Sequence, residues 1–65
     1  MPIYNEIRKM RMARNITQEE LADRVGVSRQ TIVAIEKGNY TPSLALAMTL
    51  AKFFKVSVEE LFSLE

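Results

Sequence analysis

TQEELADRVGVSRQTIVAIEKG, residues 17–38, contains two short capped helices joined by one glycine turn. Thr17 is placed to accept the backbone N–H of Glu20 while the Glu20 carboxylate reaches back to the Thr17 N–H, a capping box that opens the first helix. Gly26 provides the left-handed residue that stops it, and Ser28 opens the second helix. The apolar sets Leu21, Ala22, Val25 and Val27, Ile32, Ile35 lie so close in sequence that the helices must cross steeply to share a core. Ala22 stands at the crossing, where anything larger than a methyl group would hold the helices apart. With Ile32 and Ile35 inward, the second helix shows Arg29, Gln30, Thr31, Val33, Ala34 and Lys37 on its other face. Arg and Gln read base edges in a major groove through paired hydrogen bonds. The arrangement is a helix-turn-helix, in which the first residues of the second helix meet the groove.

The flanking sequence completes an all-α domain of five helices. Asn5 caps a helix to about residue 14, with Ile7, Met10 and Arg14 on related turns and Asn15 in the left-handed terminal position. The second and third helices span roughly residues 18–25 and 29–37, and Gly38 ends the third. Ser43 caps a fourth helix, roughly 44–54, and Ser57 with Glu60 forms a second capping box that opens a short fifth helix through Phe62. Ile3 and Tyr4 are expected to pair with residues 62–64 as a short terminal ribbon. No repeat, low-complexity tract or linker interrupts the chain, so residues 1–65 read as a single domain.

The segment Gln18 to Gly38 resembles the helix-turn-helix of the phage repressor and Cro-like family, also called the xenobiotic-response-element family of regulators. TPSLALAMTLAKFFKVSVEELF is similar to that family's fourth and fifth helices. The resemblance covers essentially the whole chain and implies a lambda-repressor-like fold of the single-domain type. It implies that Arg11 and Glu36 form a partly buried pair tying the first helix to the end of the third. It also implies phosphate contacts from the loop Asn39, Tyr40 and Thr41, beside those expected of Gln18 at a helix start, Ser28 and Lys37. Met12, Ala13 and Phe53 depart from the family pattern: relatives carry charge at the first two positions, and Phe53 adds apolar bulk to the fourth helix.

At 65 residues, 48% of them hydrophobic, the chain can bury a small core. Domains of this size are marginal alone and often gain stability by associating. There is no cysteine and no histidine, so disulfides, thiolate metal sites and histidine catalysis are excluded, in keeping with a reducing cytoplasm. No segment has the apolar length of a membrane span, and MPIYNEIRKM lacks a continuous apolar core. Neither a phosphate-binding loop nor a nucleophile–base pair is present; the expectation is no enzyme, no cofactor, no metal and no small-molecule ligand. Net charge is +1, and residues 1–40 hold seven basic against five acidic side chains while residues 41–65 hold two against three. The excess is local to the helix-turn-helix half, so phosphate attraction per monomer is modest.

The fourth helix is apolar at every position from Leu44 to Phe54 except Thr49 and Lys52. A peripheral helix needs one apolar stripe. Leu44, Ala47, Met48, Ala51 and Phe54 are assigned to it, which leaves Leu46, Leu50 and Phe53 as a second stripe beside Val58, Leu61, Phe62 and Leu64. That second surface is the expected homodimer interface. Met10, Met12 and Met48 are expected to fill the core.

These expectations add up to a sequence-specific binder of duplex DNA, a homodimeric repressor acting sterically at a near-palindromic operator. Arg29, Gln30, Thr31, Val33 and Ala34 are the candidate base-contacting residues. The alternative is an antitoxin or protein-interaction module on the same fold, since fold alone does not settle function.

Overall fold

The computed structural model describes residues 3–64. In chain order its elements are strand β1 (Ile3–Asn5), helices α1 (Ile7–Ala13), α2 (Gln18–Val25), α3 (Arg29–Glu36), α4 (Leu44–Phe54) and α5 (Val58–Leu61), and strand β2 (Phe62–Leu64). The helices begin where the sequence supplies caps. Thr17 and Ser57 form complete capping boxes with Glu20 and Glu60, while Ser28 and Ser43 accept the N–H groups of Thr31 and Leu46. The first four helices are followed by left-handed residues, Asn15 at φ 56°, Gly26 at 81°, Gly38 at 80° and Lys55 at 60°, whereas α5 runs straight into extended backbone at Phe62. Lys55 holds that conformation without the glycine that ordinarily relieves it. Asn5 is not itself the capping residue of α1, a position taken by Glu6. Its Oδ1 nevertheless accepts the Ile7 N–H at 3.1 Å.

The terminal ribbon forms as expected. It is antiparallel, with Ile3 opposite Leu64, Tyr4 opposite Ser63 and Asn5 opposite Phe62. The alternation of strand side chains therefore puts Ile3, Asn5, Phe62 and Leu64 on one face. Ile7, Leu21, Ile32, Ile35, Leu50 and Leu61 are fully buried, with Ala22, Ala51 and Phe54 completing one contiguous core. Ala22, 1% exposed, is the small residue at the α2–α3 crossing.

The rotation of α4 differs from the sequence expectation. Ala47, Leu50, Ala51 and Phe54 point inward, whereas Leu44 and Met48 are 73% and 56% exposed. A helix apolar on nearly every side carries no periodic signal to fix its roll; the neighbours decide it. α2 contacts α4 and covers Phe53 through Arg24, and Leu46 and Phe53 are both half-buried against the core. Leu50 and Leu61, both fully buried, therefore belong to the monomer interior and cannot face a second copy, while Leu46 and Phe53 stand at its margin. Met12 is also exposed; of the three methionines expected inside, only Met10 packs against the core.

A basic residue closes the C-terminal end of α4. Arg14 donates to the carbonyls of Phe53 and Phe54 at 3.0 and 2.9 Å, and its guanidinium lies over both rings at 5.4 and 5.2 Å. Arg24 of α2 covers the Phe53 ring from 5.5 Å. The departure at Phe53 thus serves as a platform for two cations that join α1, α2 and α4.

Candidate nucleic-acid interface

Helix α3 is fixed at its start by Ser28, whose Oγ accepts the Thr31 N–H at 3.2 Å and lies 3.0 Å from the Thr31 hydroxyl. Only one of the two hydroxyls donates in that contact, so one O–H remains for a partner. The turn before the cap folds tightly, with the Gly26 and Val27 N–H groups sharing the Ala22 carbonyl. A side chain at Gly26 would meet open space, so the glycine is required by its positive φ alone. Beyond the cap, Arg29, Gln30 and Lys37 are exposed, and Thr31, Val33 and Ala34 are half-buried between them. Among the described residues neither Arg29 nor Gln30 makes a side-chain hydrogen bond or ion pair. Two extended polar side chains with unspent donors thus stand on the first turn of a capped helix.

The other end of α3 is held firmly. Arg11 Nε donates to Glu36 Oε2 at 2.7 Å and Nη2 to Oε1 at 3.1 Å, with the two side chains 12% and 3% exposed. Arg11 Nη1 also donates to the Ile16 carbonyl at 2.9 Å. The hydrogen bonds to Glu36 raise the Arg11 pKa against the opposing effect of desolvation. Gln18 Nε2 donates to Glu36 Oε1 at 3.1 Å. The carboxylate is thereby shared between α1 and α2. Part of the Gln18 amide is consequently committed inside the fold; its second Nε2–H and the first backbone N–H groups of α2 are what it can offer a phosphate. A cleft of about 330 Å³ between the starts of α2 and α3 is lined by Arg11, Thr17, Gln18, Glu19 and Arg29.

After α3 the chain turns through a pair of bonds from Gly38 N–H to the Ile35 carbonyl and Asn39 N–H to the Ala34 carbonyl. This leaves Asn39, Tyr40 and Thr41 exposed, beyond the end of α3 opposite to Arg29. Two residues that hold this framework escaped sequence reasoning. Arg14 closes α4, and Asn5 Nδ2 donates to the Ile35 carbonyl at 3.0 Å. Their partners lie 30 to 40 residues away in sequence, with no local pattern to announce them.

A second surface lies on the side of α4 not covered by α2. Leu44, Met48 and Leu64 are exposed there, and Val58 and Phe62 half-exposed. An apolar groove of about 290 Å³ runs between Ile3, Pro42, Leu44, Ala47, Val58 and Phe62. Val58, Phe62 and Leu64 are thus accessible as expected, but they border the Leu44–Met48 shoulder of α4 in place of the Leu46–Phe53 shoulder.

Known proteins share these features. The profile of the helix-turn-helix family matches residues 7–61. The chain is 56% identical to an uncharacterized HTH-type transcriptional regulator of Methanocaldococcus jannaschii over 94% of its own length and 92% of the relative's. It is 42% identical to the cryptic phage CTXphi transcriptional repressor RstR of Vibrio cholerae over 91% of its length, spanning 53% of that protein. Among solved structures it is similar to the restriction-modification controller protein C.AhdI from Aeromonas hydrophila, with a TM-score of 0.77 at 29% identity over 85% of this chain and 83% of that one.

Proposed function

The chain belongs to the helix-turn-helix family of DNA-binding transcriptional regulators, and from that premise we propose that α3 enters the major groove of a specific operator and that two copies act together as a repressor. The observation that carries the proposal is the uncommitted pair Arg29 and Gln30 on the first turn of α3. Arg pairs with two acceptors of a guanine and Gln with donor and acceptor of an adenine. The Thr31, Val33 and Ala34 side chains follow on the same face, where methyl groups meet a thymine methyl. Gln18, Ser28, Lys37, Asn39, Tyr40 and Thr41 take the role of phosphate contacts, which set register without reading sequence.

With a net charge of only +1, one monomer gains little from phosphate attraction, so affinity has to come from joining two half-sites. The pairing surface is the bare shoulder of α4, with Leu44 and Met48 beside Val58, Phe62 and Leu64. A two-fold dimer through it would present the two α3 helices to successive major grooves about 34 Å apart. Bound at a promoter, it would block polymerase sterically. The regulator would act in the cytoplasm, in keeping with a cysteine-free chain.

Selection of bound duplexes from a random library tests the reading. The expected product is a near-palindrome, on which Arg29→Ala and Gln30→Ala each lose about 1–3 kcal/mol of discrimination at one base pair per half-site. Wild-type base preference in both variants would remove α3 from the reading role. A selected sequence without two-fold symmetry would remove the dimer.

A further inference from the structure

Beyond Glu36, a second tether fixes the end of α3, and it comes from Asn5 in the β1–β2 ribbon. The last carbonyls of a helix have no donors within it. Gly38 supplies one donor to the Ile35 carbonyl at 2.9 Å, and Asn5 Nδ2 supplies another at 3.0 Å. Asn5 is itself immobilised. It pairs with Phe62 in the ribbon, its Oδ1 receives the Ile7 N–H, and the next residue, Glu6, donates its N–H to the Leu61 carbonyl at 2.9 Å. One Asn side chain therefore links the start of α1, the terminal ribbon and the end of α3.

We propose that Asn5 is a positioning residue for sequence readout: its amide fixes the orientation of α3 so that Arg29 and Gln30 meet base edges in register. This rests on the reading of α3 as the recognition helix. Arg11 and Gln18 hold Glu36 from the side of α1 and α2, and Ile32 and Ile35 seat the inner face of α3 in the core, where apolar packing is non-directional. The Asn5 bond adds a directional attachment at the adjacent residue from a different element, which limits the remaining tilt of the helix end. Paired hydrogen bonds to bases require alignment within about 10–20°, whereas phosphate contacts carry no sequence information. Releasing the tether should lower discrimination more than total affinity.

Asn5→Asp separates the two roles of the side chain. It keeps an oxygen acceptor for the Ile7 N–H, where a carboxylate at a helix start is favourable, but loses the donor to the Ile35 carbonyl. The full-length chain is titrated with the library-selected duplex and with the same duplex altered at one half-site base pair, and amide exchange is followed in parallel. A partial loss of folded protein weakens both affinities equally and cancels in their ratio. The expected result is a ratio lower by about three- to tenfold, a part of the discrimination that one paired base contact supplies, together with faster exchange at the Gly38 and Asn39 amides. Should the charged variant unfold, Asn5→Ser keeps an acceptor, lacks the reach to Ile35 and carries the same comparison.

A folded Asn5 variant with the wild-type ratio overturns the proposal, whatever its exchange rates. Arg29→Ala and Gln30→Ala on the same duplexes locate the fault. If they lower the ratio and the Asn5 variants do not, only the positioning role fails. If they leave the ratio unchanged, α3 is not the reading element and the role of Asn5 falls with it.

Discussion

The two ends of α3 are built in opposite ways. At its start, Arg29 and Gln30 are exposed and, among the described residues, their side chains make no hydrogen bond or ion pair. At its end, one buried carboxylate and one carbonyl are gripped by Arg11, Gln18 and Asn5, from α1, α2 and β1. The contrast teaches how a chain with a small core presents a rigid reading surface. The polar groups that read must stay free for a partner, so the polar groups that orient them are placed at the far end and satisfied inside the fold.

The contrast breaks first in stability. Glu36→Ala leaves the Arg11 guanidinium, only 12% exposed, without its carboxylate, and should cost about 3 kcal/mol in urea unfolding. Arg29→Ala should stay within about 0.5 kcal/mol of wild type. Equal losses at the two positions would mean that the ends are not asymmetric. Ala22→Leu acts on the whole helix, because overfilling the α2–α3 crossing costs about 1–3 kcal/mol and displaces both ends together. Folding and DNA binding should therefore decline in parallel. A variant with its melting midpoint intact and binding lost would place Ala22 at the interface with DNA and not at the crossing.

A variant on α4 sharpens the same contrast. Leu44→Glu, on the bare shoulder, should leave the monomer folded and reduce full-operator binding towards that of a half-site, with sedimentation showing dissociation to 7.4 kDa. Unfolding in its place would return Leu44 to the core. The smallest effect lies at the capping box of α2. Hydrogen bonds from the Thr17 backbone and side chain hold the Glu20 carboxyl below its ordinary pKa. Its contribution is thus complete at neutral pH and lost as pH falls through that lowered value. Glu20→Gln should flatten the acid side of the melting-temperature profile slightly; an unchanged profile would show the box to be without weight.

What the sequence disclosed was what neighbouring residues decide among themselves. Thr17 with Glu20, Ser57 with Glu60, and Gly26 and Gly38 at helix ends are recognisable because cap and helix lie within a few residues of each other. The apolar periodicity of α2 and α3 likewise marked Leu21, Ala22, Ile32 and Ile35 as core. The roll of α4 was not legible, since Leu44, Leu46, Met48, Leu50 and Phe53 are alike in hydrophobicity and only the packing of α2 distinguishes them. Nor were the tethers. An Arg14 reaching Phe54, or an Asn5 reaching Ile35, leaves no periodic trace, and each becomes visible only once the ribbon and the crossing have brought the ends together. For the candidate site, the exposed start of α3 was readable and its means of support only in part, through the Arg11–Glu36 resemblance.

The central claim is that the free end of α3 is the reading surface. Titration of isotope-labelled protein with the library-selected duplex, followed by NMR, tests it most directly. The largest shifts are expected at the side chains of Arg29 and Gln30, smaller ones at Val33, Lys37 and the Asn39–Thr41 loop, and none at Leu44 or Met48 beyond those of dimerisation. Shifts centred on α4 and α5, with Arg29 and Gln30 unmoved, would contradict it.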